Sequence, residues 1–459
     1  MLFLLCLTLA SAQVDPCVPT GIRAPRGYNT WDADSGGVTE ADVLTSAAWI
    51  RDNLLQYGFD TVTVDGGWYT NLTLGDGVPG VNILNENGLP LPDPSRFPSG
   101  LKGMSDKIHA MGLKFGAWLI RGIPIEAALY NLPIAGSTFH AQDAVADPGL
   151  WRGCVWDKNT LGVNSPSPAA TAWFQAQADY YVANGLDWVK ADCMLNMSSW
   201  FAEEVADFAT AFHTRAPNVT ISWSPGGPHD RFTPEVAQYI ASHAPAWGKM
   251  YRVTEDFHDQ DWNKNDVAVD QLVEHLTQAA LLSNFIGAGG SFPDLDMLPF
   301  GRQADGTPTG RKNMFTEDMQ RLIMTLWSIT RAPLIVGARI PLDADDNITL
   351  PLLTNAAVLD VNANSCRNTP ALVLEDGNTT ALFAWTAATS KGESIVALFN
   401  GRSVDANVSA SAPGFAIGGC ATNLWSSESE GPTLAGGVIR RLLPPYSSGL
   451  WRVGACGGE

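Results

Sequence analysis

The chain has 459 residues, 45% apolar and 16% charged, and its 28 Lys and Arg against 47 Asp and Glu leave a formal charge of −19. That sign repels phosphate backbones and anionic lipid heads, which argues against nucleic acids and membrane surfaces as partners. The apolar content is too high for a disordered chain, and the length suits two or three domains, or one large α/β barrel with a smaller domain.

From the N-terminus, Leu2 to Leu9 form a short apolar run followed by Ala10-Ser11-Ala12. This reads as a secretory signal peptide over residues 1–12, far below the roughly 20 residues needed to span a bilayer. Strand candidates then alternate with helical stretches. They are GYNTW near 27, DTVTVDGGW from 60, LKFGAWLI from 113, LDWVKADC from 186, VTISWSP from 219, KMYRVTED from 249, NFIGAGG from 284 and PLIVGAR from 333. Helix-like segments between them include Thr39 to Tyr57, Gly100 to Met111, Pro168 to Asn184, Trp200 to Arg215 and Glu317 to Thr330. Thr39 is the expected N-cap of the first, with acidic residues in its opening turn. Eight strands alternating with helices predict a (β/α)8 barrel over residues 13–344. A doubly wound sheet is disfavoured because no Gly-rich phosphate loop follows any strand. From about 345 the pattern changes to short alternating runs broken by D-G, N-T and K-G turns. This predicts a C-terminal antiparallel β-sandwich domain over 345–459 with no long helix.

Six cysteines remain after the signal segment, none at C-x-x-C spacing, so a zinc ribbon or thioredoxin motif is unsupported. Six N-x-S/T sequons, at Asn71, Asn196, Asn218, Asn347, Asn378 and Asn407, fit a glycosylated, secreted protein.

Active sites of barrel enzymes form at the C-terminal ends of the strands. Asp65 ends the second strand candidate, and Lys190 and Asp192 end the fourth, two apart and so on one face. Arg252 and Asp256 follow the sixth, Asp294 and Asp296 the seventh, and Trp31, Trp118, Trp223 and Trp262 fall at or near the same rim. A single carboxylate at a strand end is commonly a helix cap or a loop ion pair, and a single tryptophan is commonly packing. Convergence of four acid-bearing positions on one rim, with aromatic faces for sugar C–H patches, points instead to a carbohydrate site.

These motifs resemble glycoside hydrolase family 27, the α-galactosidase family of the melibiase clan, from about Gly27 to Asn362. GYNTWDAD is similar to the family's G-W-N-S-W block, and PLPDPSRFPSGLKGMSDKIHAMGLKFGAW to its D-P-x-R-F-P segment. DWVKADC is similar to K-Y-D-N-C, YRVTEDFHDQDW to W-R-x-x-x-D-I-x-D-x-W, and GAGGSFPDLDML to G-x-G-x-W-N-D-P-D-M-L. LWSITRAPLIVGARI and LLTNAAVLDVN resemble the last barrel strand and the passage into the β-domain. The resemblance implies Asp192 as nucleophile and Asp256 as general acid/base of a retaining exo-glycosidase. It implies Lys190 and Arg252 on ring hydroxyls, Asp65 on the 4- or 6-hydroxyl, Trp31 at the non-reducing end, and Trp118 and Asp296 lining the pocket. It also implies a Cys154–Cys193 disulfide. No metal or organic cofactor is implied, and the partner is a neutral carbohydrate. Lys190 is expected to keep Asp192 ionised, and the charge on Asp192 to keep Asp256 protonated.

Two departures bear on the substrate. Asp65-Gly66-Gly67-Trp68 replaces the family's D-D-C-W, removing one carboxylate, and SWSPGG replaces C-E-W at the end of the fifth strand. The function implied first is hydrolysis of terminal α-D-galactosides; the alternatives are hydrolysis of a galactose-like sugar without the hydroxymethyl, such as a β-L-arabinopyranoside, and, in a third class, sugar binding without catalysis. The presence of both Asp192 and Asp256 disfavours the third.

Overall fold

The computed structural model describes residues 21–71, 81–146, 153–154, 157, 159–194, 202–224, 242–243, 246, 248–259, 267–307, 309–375, 381–411, 419–432 and 437–454. The signal segment, Cys17, Trp262, Asn196, Asn378 and Cys456 lie outside them. Two compact units are present. One spans residues 24–315 and 332–354; the other holds residues 316–331 and 355–459, with the N-terminal residues up to 23.

The first unit is the (β/α)8 barrel. Its eight parallel strands are β1 (Arg26–Asn29), β2 (Thr61–Val64), β3 (Lys114–Ile120), β4 (Trp188–Asp192), β5 (Thr220–Trp223), β6 (Met250–Arg252), β7 (Phe292–Asp294) and β8 (Leu334–Val336). They pair in the order β7-β6-β5-β4-β3-β2-β1-β8. The ring closes where Leu298 N donates to the Ile335 carbonyl at 2.7 Å and Gly337 N to the Leu298 carbonyl at 3.0 Å. β1, β2 and β6 are buried at every residue, as strands covered on both faces must be. In the interior, a Cβ on Gly116 of β3 would stand 2.8 Å from Thr63 and 2.9 Å from Trp188, so only glycine admits the Trp188 ring there.

The helices follow from their caps and apolar faces. α1 (Trp31–Asp34) is one turn after β1. α2 (Glu40–Asn53) opens with the expected Thr39 cap, and Asp42 closes a reciprocal capping box. α3 (Gly100–His109), α4 (Pro168–Ala183, capped by Ser167), α5 (Ala202–Arg215) and α6 (Val267–Leu281) continue the alternation. The seventh strand lies further on than the apolar run NFIGAGG suggests. Gly287, Gly289 and Gly290 take φ of +73°, +60° and +79°, which an extended strand does not allow, so the strand begins at Phe292. Among the described residues no helix is long and apolar enough to cross a membrane.

The second unit contains α7 (Glu317–Ile329), α8 (Ala356–Asn364) and an antiparallel sandwich. α8 stands where the sequence suggests no long helix; at nine residues it is short, nucleated by Asn355, which accepts from the amides of Ala357 and Val358. The larger sheet holds β9 (Cys366–Glu375), β10 (Ala381–Ala388), β11 (Ser394–Asn400), β13 (Cys420–Asn423), β14 (Ser429–Pro432) and β16 (Ser447–Gly454), in the order β9-β10-β11-β16-β13-β14. β12 (Ala406–Ser411) pairs with β15 (Val438–Leu443) as the smaller sheet. Leu382, Val396, Leu398, Val408, Ile439 and Trp451 pack between the sheets.

Candidate active site

The sequence places the first barrel-rim acid directly after β2. Asp65 is buried and accepts from Asn29 Nδ2 at 2.6 Å and Lys190 Nζ at 2.9 Å. Its other oxygen accepts from the Gly66 amide at 2.7 Å. Burial alone would lower the Lys190 pKa, but Asp65 and Asp192 outweigh it and hold the ammonium above its ordinary range. Trp188, Lys190 and Asp192 share one face of β4 by the two-residue period, which brings Lys190 and Asp192 to the same cavity.

Asp192 closes β4. Its Oδ2 accepts from Trp118 Nε1 at 2.8 Å, and its Oδ1 from the Cys193 amide at 2.9 Å. Cys193 takes a φ of +60° and is bonded to Cys154, the pairing the family resemblance implies. Behind this corner Arg121 and Glu204 form an ion pair at 2.6 Å, both side chains almost fully buried, and Arg121 also donates to the Gly153 carbonyl at 3.2 Å. The loop carrying Cys154 is therefore tied to α5 as well as to β4.

Across the rim, Arg252 at the end of β6 is buried against two acids. One guanidinium nitrogen pairs with Asp256 and the other meets Asp296 at 3.4 Å. Asp296 also accepts from the Phe257 amide at 2.8 Å, and Asp294 accepts from the Asp296 amide at 2.9 Å. Burial pushes Asp294 up to about 7, with Asp296 adding to the shift. For Asp256, burial acts upward but Arg252, His258 and Lys190 prevail, so its carboxyl sits below the usual range. The expectation that Asp192 keeps Asp256 protonated is therefore not met: the guanidinium at contact distance outweighs the carboxylate.

All eight sequence-predicted site residues line one cavity of about 380 Å³: Trp31, Asp65, Trp118, Lys190, Asp192, Arg252, Asp256 and Asp296. Tyr69 stacks on Trp118 with centroids 6.1 Å apart and also lines it. Trp223, placed near the rim by the sequence, is fully buried and packs edge-on to Phe208 at 5.5 Å, because it faces out of the barrel toward α5. The cavity also takes in Asn82, Asp157, Asn159, His258 and Met297, which sequence reasoning did not assign to it. His258 follows Asp256 by two and Met297 follows Asp296, so adjacency to a chosen acid was a usable signal. Asp157 and Asn159 sit on a stretch with no periodicity to read.

Gly66 shows what fills the place of the missing acid. A Cβ there would stand 3.3 Å from the Trp31 ring and 3.7 Å from the Trp118 ring. The two indoles, not a second carboxylate, form the wall beside Asp65.

No family model matches the chain. The structure aligns with a GH27 β-L-arabinopyranosidase from Geobacillus stearothermophilus at 30% identity and TM-score 0.83, over 95% of this chain and 97% of that one. Among curated proteins, it is similar to α-galactosidase D of Emericella nidulans, 26% identical over 88% of this chain; the chain spans about half (52%) of that relative's length. It is also similar to α-galactosidase 2 of Arabidopsis thaliana, 23% identical over 84% of this chain and 77% of that protein.

Proposed function

The chain belongs to glycoside hydrolase family 27, and from that premise we propose that it is a secreted, retaining exo-glycosidase of galactose-configured pyranosides that favours terminal β-L-arabinopyranosides. The observation that carries the preference is the pair of indoles over Gly66. β-L-Arabinopyranose presents the ring of α-D-galactose without the hydroxymethyl group. A pocket with aromatic carbon where a second carboxylate would receive that group loses nothing on the pentose. On the hexose it forgoes a charged hydrogen bond of about 1.5–3 kcal/mol.

In this reading Asp192 attacks the anomeric carbon, with Trp118 and the Cys193 amide fixing both its oxygens for in-line approach. Asp256 protonates the leaving oxygen and then, as carboxylate, takes a proton from the water that cleaves the glycosyl ester. Lys190 and Asp65 act as one donor–acceptor pair for vicinal ring hydroxyls, and Arg252 turns part of its fork to a hydroxyl when the sugar enters. Loss of that ion pair frees Asp256 to hold a proton. Export rests on the apolar leader, on disulfide-bonded Cys154, Cys193, Cys366 and Cys420, and on exposed sequons at Asn218, Asn347 and Asn407.

Hydrolysis of α-D-galactosides is the second reading. It is favoured by Trp31, which is 38% exposed and has room to yield to a hydroxymethyl, and by the α-galactosidases among the relatives. Incubation with the 2-deoxy-2-fluoro β-L-arabinopyranosyl fluoride should inactivate the enzyme and label the peptide carrying Asp192. A label elsewhere, or inversion at the anomeric centre by NMR, would remove the mechanism.

A further inference from the structure

Directly after the cavity-wall residue Trp31 comes a carboxyl group that the mechanism above leaves unused. Asp32 is buried, and neither of its oxygens has a hydrogen-bond partner among the described residues. The space it occupies exists because residue 337 is glycine: a Cβ there would stand 2.4 Å from Asp32 Oδ2. His258 Nδ1 stands 3.9 Å from Asp32 Oδ1. His258 in turn lines the catalytic cavity and acts electrostatically on Asp256. The groups acting on Asp32 are His258 and Asp256 from the segment after β6, Asp296 from the segment after β7, and Lys190 from β4.

An isolated buried carboxylate is costly, whereas a carboxylic acid in that place is tolerable and can donate. Burial, reinforced by Asp296 and Asp256, outweighs the lowering by His258 and Lys190 and raises Asp32 to about 8, so the side chain holds a proton at neutral pH. Two residues past Asp256, the imidazole of His258 can accept at one nitrogen while donating from the other. The proposed acid therefore stands ionised beside Arg252 while a neutral acid is stored behind the adjoining histidine.

We propose that Asp32 is a positioning residue that acts through His258, and that Asp32 and Asp256 share one proton across its imidazole. While Arg252 pairs with Asp256, it holds that carboxyl as the anion and the proton rests on Asp32. When a sugar hydroxyl takes Arg252, the Asp32 O–H breaks as N–H forms on the imidazole. The opposite imidazole N–H breaks as O–H forms on Asp256, with no change in net charge. Asp256 is thereby charged for leaving-group protonation without drawing a proton from bulk water.

This rests on the assignment of Asp256 as acid/base, and the experiment separates the two. Wild type, Asp32→Asn, His258→Gln and Asp256→Ala are compared on 4-nitrophenyl and 2,4-dinitrophenyl glycosides of the preferred sugar, from pH 4 to 9. Only the poorer leaving group depends strongly on acid assistance. Asp256→Ala should lose at least about 100-fold in kcat/KM on the nitrophenyl glycoside and keep most of its kcat/KM on the dinitrophenyl one, while its kcat on the latter falls and is restored by azide. Equal loss on both, with no rescue, would remove Asp256 itself. With Asp256 upheld, Asp32→Asn and His258→Gln should each move the alkaline limb of kcat/KM for the nitrophenyl glycoside down by a pH unit or more. They should leave the dinitrophenyl glycoside within about threefold. An unmoved limb in His258→Gln, which tests the relay even if Asp32→Asn folds poorly, would overturn the shared proton. So would equal losses on both substrates in folded Asp32→Asn.

Discussion

The two walls of the cavity are built on opposite principles. Beside β2 and β3 the wall is aromatic, with Trp31, Trp118 and Tyr69 near Asp65, whose charge Lys190 meets at 2.9 Å. Beyond β6 and β7 it is crowded with acids: Asp256, Asp294 and Asp296 surround Arg252, with Asp32 behind. The first wall is shaped to select, by which ring substituents fit against carbon. The second is shaped to manage protons, because so many acids around one guanidinium cannot all stay ionised. Asp192 stands between them, its two oxygens fixed by donors and so committed to one geometry.

Changes at the junction should have the largest effect. Asp192→Asn should lower kcat by about four orders of magnitude or more. Its melting temperature should stay near wild type, since an amide oxygen can still accept from Trp118. Activity near wild type would show that neither wall faces the nucleophile. Next comes the support beneath that corner. Arg121→Met leaves Glu204 buried without its partner and should cost about 3–5 kcal/mol in denaturant unfolding. A loss under about 1 kcal/mol would mean the buried pair does not hold the Cys154 loop.

The acid-rich wall should show itself in stability against pH. Asp294 has its folded pKa raised to about 7 and Asp32 to about 8, above the value of about 4 in an unfolded chain. The fold thus binds more protons than the unfolded chain in this window. Their contribution is fully present below about pH 4 and is lost as pH rises through 7 to 8. Melting temperature should therefore fall between pH 5 and 9 in wild type, and Asp294→Asn should flatten the slope. A slope unchanged in that variant would reassign the titration. On the aromatic wall the effects are smaller and concern selection. Trp31→Ala should narrow the preference between pentose and hexose by about tenfold, chiefly through KM for the hexose. An unchanged ratio would show that Trp31 does not meet that end of the sugar.

The sequence spoke unevenly about the two walls. Strand ends could be read from alternation and from apolar runs, so Asp65, Lys190, Asp192 and Arg252 were legible where they stand. Thr39 was legible as a cap for the same reason, its chemistry being local. The glycines before β7 read as part of a pliant strand in the sequence, because their positive φ is not visible there. Asp32 and Asp157 gave no local signal, since their importance comes from what other segments bring against them. The protonation of Asp256 is not legible in the sequence, because spacing shows that Arg252 is four residues away but not that the two side chains meet.

The most direct measurement is the ratio of kcat/KM for 4-nitrophenyl β-L-arabinopyranoside to that for 4-nitrophenyl α-D-galactoside, in wild type and in Gly66→Asp. The indole wall predicts a wild-type ratio above one. It also predicts a fall of about ten- to a hundredfold when the carboxylate is restored, with Trp31 displaced by the new side chain. A wild type that prefers the galactoside by a thousandfold, with Gly66→Asp leaving the ratio unchanged, would contradict the assignment of this wall as the selector.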